Sequence, residues 1–298
     1  MNLKNKKILI TGGAGFIGSY LNKKLIEHGS ITDIFDVSYG NDICDEKQLK
    51  KYVKKKFNVI YHLAGFSGSS ESNLDQLNCI KTNTLASILL CELVIKYSPE
   101  TKLIFSSSRL EYGVPQYLPV DEKHPTIPTS AYGLSKLATT QMALIYHKNN
   151  YLKVTIFRTS NVYGPHPKHG FAGYNVINHF IDIAKRNESL TIFGNGEQLR
   201  DYIFIDDMVE SFILAAGSNT VGEVYNIGFG QGIKFKDMAK LIIKKVGKGK
   251  LKFVKWPEKY ISVETGSYVT NINKYTKATG FKPEIGFEEG IKRTIKGS

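Results

Sequence analysis

Between residues 130 and 136 the chain reads SAYGLSK, which sets Tyr132 and Lys136 four positions apart. On one helical face positions i and i+4 are neighbours, so the Lys136 ammonium can lie beside the Tyr132 phenol. A phenol with a pKa near 10 is a poor base at neutral pH, and a nearby positive charge favours its ionised form. Such a pair does chemistry only with a cofactor beside it and a substrate hydroxyl within reach. Near the N-terminus, Gly12, Gly15 and Gly18 fit G-x-x-G-x-x-G, a spacing variant of the dinucleotide fingerprint that runs on into Phe16 and Ile17. Glycines there let the backbone approach a pyrophosphate and aim a helix N-terminus at it. Asp36 lies where a carboxylate accepts hydrogen bonds from ribose hydroxyls and repels a 2′-phosphate, so the expected cofactor is NAD. The stretch from Asp36 to Asp42 is too short for a helix and strand, which lets Asp42 and Ile43 reach the adenine.

These residues need elements to hold them. KILI at 7 to 10 precedes the glycines, and the apolar spacing after them is helical, giving strand, turn, helix. Further strands are expected at ITDIFDV, ending with Asp36, at NVIYHLAG (58 to 65), at KLIFSSS (102 to 108) and at VTIFRTSNVYG (154 to 164). Helical patterns lie between them in DEKQLKKYVKKK, TNTLASILLCELVIKY and AYGLSKLATTQMALIYHK. Strands alternating with helices predict an α/β fold with a doubly wound parallel sheet. After NVYGP the composition changes, and helices mix with short strands. The expected organisation is a Rossmann domain over residues 1 to 165, with 203 to 228 returning to it, and a smaller mixed α/β substrate domain from 166 to 202 and 229 to 298. Sites belong in the crevice at the strands' carboxyl ends.

The 298 residues, 42% hydrophobic and 22% charged, suit a folded protein with a large core. No signal-peptide pattern opens the chain, and no apolar run is read as a membrane span. Three cysteines without metal-type spacing suggest reduced thiols and a cytoplasmic location. A net charge of +13 invites a nucleic-acid reading, but the lysines are scattered from the first residues to the last helix and carry no binding motif. No nucleic-acid partner is expected; the positive field suits an anionic small substrate.

TGGAGFIG, HLAG at 62 to 65, Asn83, SSS at 106 to 108 before EYG, YGLSK, NVYGP, RDYIFIDD at 200 to 207 and YNIG at 225 to 228 occur in consistent order. Together they resemble the extended short-chain dehydrogenase/reductase family, the nucleotide-sugar epimerases and dehydratases. The resemblance implies that Tyr132 is the acid/base, that Lys136, together with the nicotinamide's positive charge, favours its phenolate and also holds the nicotinamide ribose, and that Ser108 hydrogen-bonds the same substrate oxygen. Leu63, Ala64, Gly65 and Asn83 join the cofactor set, while Ser107, Asn161 and Arg200 join the substrate set, Arg200 as a diphosphate ligand. Ser106 and Ser107 have a plainer use as partners of strand-end backbone groups. His62 is expected to be structural, and the likeness implies a homodimer.

Family dehydratases carry Asp-Glu directly after the catalytic serine, whereas this chain has Arg109 and Leu110. Glu111 lies one position further on, and on a continuing strand it would face the other way. The resemblance therefore points to 4-epimerisation of a nucleotide-diphosphate sugar, with a 4-keto reductase as the alternative and, from another class, a non-catalytic nucleotide sensor. The second phosphate-side arginine of the family is missing from SVETGSY, where Val263 and Glu264 stand, leaving Lys255 or Lys259 as substitutes. His166 and His169 are read as an irregular loop and not as metal ligands, and Phe171 and Tyr174 as pocket or packing residues.

Overall fold

The computed structural model describes residues 3–166, 175–217, 219–261 and 263–297. Six strands, β1 (Lys7–Thr11), β2 (Ile31–Phe35), β3 (Val59–His62), β4 (Lys102–Ser108), β5 (Lys153–Thr159) and β9 (Glu223–Ile227), form one parallel sheet. Their order is β2-β1-β3-β4-β5-β9, so the sequence direction reverses beside β1. A ligand crevice opens at such a reversal, past the carboxyl ends of the strands.

The apolar runs are nearly continuous because both faces are covered, as parallel sheets require. Alternate residues serve opposite layers. Ile8, Ile10, Tyr61 and Ile104 pack with Leu21 and Leu25 of the helix Phe16–Glu27 and with Phe212 of the helix Ile205–Gly217. Leu9, Ile60, Leu103 and Phe105 pack with Leu49, Leu90, Val94 and Ala143, from the helices Glu46–Val53, Ala86–Tyr97 and Ala131–Lys148.

Two expectations need correction. VTIFRTSNVYG is not one strand: β5 ends at Thr159, and β6 (Asn161–Tyr163) belongs to a second sheet, with β8 (Leu199–Phe204) and β10 (Gly232–Lys234) in the order β10-β8-β6. Ser160 makes the crossing, its N–H donating to the Ile227 carbonyl at 2.8 Å and its hydroxyl to the Asp201 carbonyl at 2.7 Å. Polar capture of a single residue leaves no trace in the apolar pattern. A third, two-stranded sheet pairs β7 (Ser189–Phe193) with β11 (Lys250–Val254). The second correction concerns the membrane. The helical run Gln76–Tyr97, 22 residues with one π-helical turn at Lys81–Leu85, is long and apolar enough by composition to span a bilayer. Half of its apolar 18-residue window is buried, with Cys79, Leu90 and Val94 fully inside the protein, as in a core helix.

Candidate active site

A cleft of about 1100 Å³ runs over the carboxyl ends of β1, β3 and β4, from the glycine loop to Asn161 and Tyr202. Gly12, Gly15, Phe16, Ile17, Gly18, Asp36, Asp42, Ile43, Leu63, Ala64 and Gly65 line its first half. Here the backbone is packed against itself. A Cβ on Gly12, whose φ is +72°, would meet the Ala64 nitrogen at 2.7 Å, and one on Gly18 would meet the Gly12 carbonyl oxygen at 2.2 Å. The helix Phe16–Glu27 starts at Gly15 with no side-chain cap and no acidic residue in its first turn. Its first N–H groups and positive dipole end are therefore available to an anion. Asp36 accepts hydrogen bonds from the N–H groups of Ala14 (3.0 Å) and Ser38 (2.9 Å), which ties the loop to the end of β2. The donor set fits a dinucleotide.

The helix Ala131–Lys148 brings Tyr132 and Lys136 to the other side of the cleft. Ser130 caps it by accepting from the Gly133 N–H at 3.1 Å, and Ser72 and Asn73 take the N–H groups of Tyr132 and Ala131. Gly133 sits where a Cβ would come within 2.4 Å of the Leu110 carbonyl oxygen, so the helix presses directly on the turn that follows β4. That contact sets the Tyr132 phenol near the Ser108 hydroxyl, which favours its ionised form. Lys136 Nζ donates to the Ser106 carbonyl at 3.0 Å and lies 5.7 Å from the centre of the Tyr132 ring.

The side chains around the phenol do not by themselves make it acidic. Burial pushes Tyr132 up to about 12, against a smaller lowering from the Ser108 bond. Burial likewise brings Lys136 down to about 8, opposed by the nearby Glu111 charge. The ammonium is spent on a carbonyl and stands over the ring, not at its oxygen. His62 is held down at about 3 by burial and then by Lys136, and its ring nitrogens meet Thr11 and Ser87 at 2.8 Å each. It ties strands to a helix.

Several residues are placed differently from their expected roles. Asn83 does not line the cleft: its amide accepts from the Phe66 N–H (2.7 Å) and donates to the Phe66 carbonyl (3.0 Å) and Ser135 (2.9 Å), bracing the segment that does. Ser107 borders the cleft, but its hydroxyl donates inward to Glu111. Glu111 is not on a strand, because β4 ends at Ser108 and a 3₁₀ turn follows. Its fully buried carboxylate also takes Thr140 at 2.6 Å and an ion pair with Arg158 at 2.8 Å. Arg200, expected to hold a diphosphate, pairs with Glu264 at 2.6 Å, donates to the carbonyls of Gly266 and Leu199, and does not line the cleft. Asn161 does line it, and donates to the Asp201 carbonyl at 2.8 Å.

Sequence reasoning did not place Arg109 or Tyr202 in the site; both line the cleft. Burial first, and the Arg200 charge next, bring Arg109 down to about 10, so it stays a cation at neutral pH. Lys255 is absent from the lining, and the side chain of Lys259 lies outside the described residues. His169, Phe171 and Tyr174 also lie outside them, while His166 stacks on Phe16 with ring centres 5.2 Å apart. No group of three or more His, Cys, Asp or Glu is arranged for a metal among the described residues.

Known proteins share this arrangement. Residues 8–228 match the model of the family described as NAD dependent epimerase/dehydratase family. A "Putative UDP-glucose 4-epimerase" of Methanocaldococcus jannaschii is 35% identical over 305 residues, covering 97% of each chain. Mouse dTDP-D-glucose 4,6-dehydratase is 28% identical over 320 residues, with 98% of this chain and 88% of the mouse protein covered. In three dimensions, the UDP-glucose 4-epimerase of Thermotoga maritima, solved with UDP-glucose, superposes with a TM-score of 0.91 at 30% identity, covering 98% of both chains. With motifs, fold and whole-length relatives in agreement, the chain belongs to the NAD dependent epimerase/dehydratase family.

Proposed function

We propose that the protein is a 4-epimerase of a nucleotide-diphosphate sugar, with Tyr132 removing and returning the proton of the 4-hydroxyl. The observation that carries this reading is the acidity of the cleft wall. Among the described residues lining the cleft, the only carboxylates are Asp36 and Asp42, both at its glycine-loop end. Dehydration or decarboxylation in this family needs a carboxylate beside the sugar, and Glu111 is locked under the floor by Ser107, Thr140 and Arg158.

The residues left at the sugar end suit proton transfer alone. NAD, the cofactor of this family, supplies a reversible hydride acceptor and a positively charged ring to the cleft. Gly12, Gly15, Gly18 and the helix start would hold its pyrophosphate, Asp36 its adenosine ribose, and Lys136 its nicotinamide ribose. A phenol held near 12 by burial is a proton donor at rest, and it becomes a base only where positive charge gathers beside it. Ser108 stands beside the phenol and would share the substrate oxygen, giving the proton a path through two hydroxyls.

A one-way 4-keto reductase would use the same residues, and the single 3₁₀ turn Val37–Tyr39 between Asp36 and Asp42 matches the shortened loop of several family reductases. The deciding experiment offers the purified protein UDP-, TDP-, GDP- and CDP-sugars with and without NADH, follows absorbance at 340 nm and resolves the products by chromatography. Interconversion of C4 epimers without net NADH change supports the epimerase. Stoichiometric NADH loss on a 4-keto sugar replaces it with the reductase, and a 6-deoxy product refutes both.

A further inference from the structure

We propose that Arg109 and the Tyr202 hydroxyl form an oxyanion pocket at the substrate end of the cleft, taking either a phosphate or a ring carboxylate of the substrate. The proposal rests on the nucleotide-sugar reading above and names the group that anchors the sugar's charge. Two guanidinium groups approach each other here, close enough for Arg200 to disfavour the charge on Arg109, and a single carboxylate, Glu264, serves them. Glu264 stands 2.6 Å from Arg200, whose remaining bonds go to backbone carbonyls.

Arg109 has no ion pair among the described residues. One of its nitrogens, Nη1, donates to Thr265 Oγ1 at 3.1 Å, and its guanidinium stacks 5.1 Å from the centre of the Tyr268 ring. A guanidinium has five N–H donors in a planar fork, so most of the donor capacity of this cleft-lining residue is untaken among the described residues. An independent observation points to the same ligand. Tyr202 is 4% exposed and lines the cleft, yet its hydroxyl has no hydrogen-bond partner among the described residues. Buried hydroxyls are nearly always satisfied, and one left over on a residue that lines the cleft has a donor to offer a bound group. Both arginines act on this hydroxyl electrostatically, so the same small volume holds a surplus positive charge and an orphaned donor. An oxyanion satisfies both; a neutral hydroxyl answers only the second and a cation neither. Arg109 directly follows Ser108, which sets the pocket within a side chain's reach of the proton-transfer site. After β11, where the resemblance implies an arginine, this chain has Glu264, and the cation comes from the turn after β4.

The test is calorimetric titration of the NAD-loaded wild type, Arg109→Met and Tyr202→Phe with UDP, UDP-glucose and UDP-glucuronate. Losing a charge-assisted bond weakens binding roughly 10- to 100-fold, and losing a neutral one roughly 2- to 10-fold, expected for Arg109→Met and Tyr202→Phe respectively. Weakening of all three ligands assigns the pocket to the diphosphate, and weakening of UDP-glucuronate alone assigns it to a carboxylate. Variants that bind all three within about twofold of wild type overturn the pocket while leaving the epimerase reading intact. A wild type that binds none of them, and none of the corresponding TDP-, GDP- and CDP-ligands, overturns both. NAD affinity reports whether each variant is folded; should Arg109→Met fail that control, Tyr202→Phe, which removes one oxygen, decides by the same criterion.

Discussion

Gly133 carries no functional atom, yet Gly133→Ala is expected to cost most of the turnover. Its Cβ would stand 2.4 Å from the Leu110 carbonyl oxygen and 3.0 Å from Pro128 Cβ. The helix must retreat by about 0.6 Å to reach even the 3.0 Å limit of real Cβ contacts, and close packing on its other side resists the shift. Tyr132 is adjacent, so the displacement falls on the placement of the phenol beside Ser108. Misplacement of reacting groups by about 1 Å costs on the order of 10²-fold in rate, which puts the expected fall in kcat/KM at roughly 30- to 100-fold. Stability should move much less. Overpacking costs about 1–3 kcal/mol and the gain in helix propensity offsets about 1, leaving about 0–2 kcal/mol. The assay is kcat/KM for 4-epimerisation beside urea unfolding of the same preparation. Activity within threefold of wild type would refute the reasoning, and so would a loss that merely tracks the unfolded fraction.

Three further outcomes are expected. His62, whose folded pKa of about 3 lies below its ordinary 6.5, binds a proton in the unfolded chain first. Stability should therefore fall as pH drops below 6.5, by about 2 kcal/mol between pH 7 and 5, and urea midpoints in His62→Gln should lack that component; an equal slope in both proteins rules it out. Glu111→Gln strands the buried Arg158 charge and should cost about 3–5 kcal/mol in urea unfolding, partly restored by adding Arg158→Met, whereas a loss under about 1 kcal/mol contradicts the buried pair. Leu77, Leu85, Leu134 and Ile145 are 87%, 57%, 52% and 50% exposed on two helices at one side of the protein, a surface expected to close a homodimer. Sedimentation should give a dimer at roughly micromolar concentration that Leu77→Lys with Leu134→Lys dissociates, and a wild-type monomer would dismiss it.

What the sequence discloses is what local spacing controls. The glycine loop is legible because its turn, its helix start and Asp36 all fall within one βαβ unit, and Tyr132 and Lys136 because four residues make a helical turn. Glu111 is misjudged for the complementary reason. Counting alternate faces assumes that the strand goes on, and Ser108 ends it by accepting the Leu110 N–H at 3.1 Å, after which parity means nothing. Arg200 is met by Glu264 from 64 positions away, and the orphaned Tyr202 hydroxyl depends on what β6, β10 and the turn after β4 fail to offer it. Pairings of that kind are products of tertiary structure and have no signature along the chain.

The crossing at Ser160 has a mechanical meaning. One extended run of backbone, from Lys153 to Tyr163, is stitched first into the six-stranded sheet and then into the three-stranded one, with both stitches anchored at the residue between them. Two plates joined by a doubly hydrogen-bonded seam do not swing like a clamshell. Melting one sheet should therefore release the other, and heating should give a single cooperative transition in place of one sheet that outlives its neighbour.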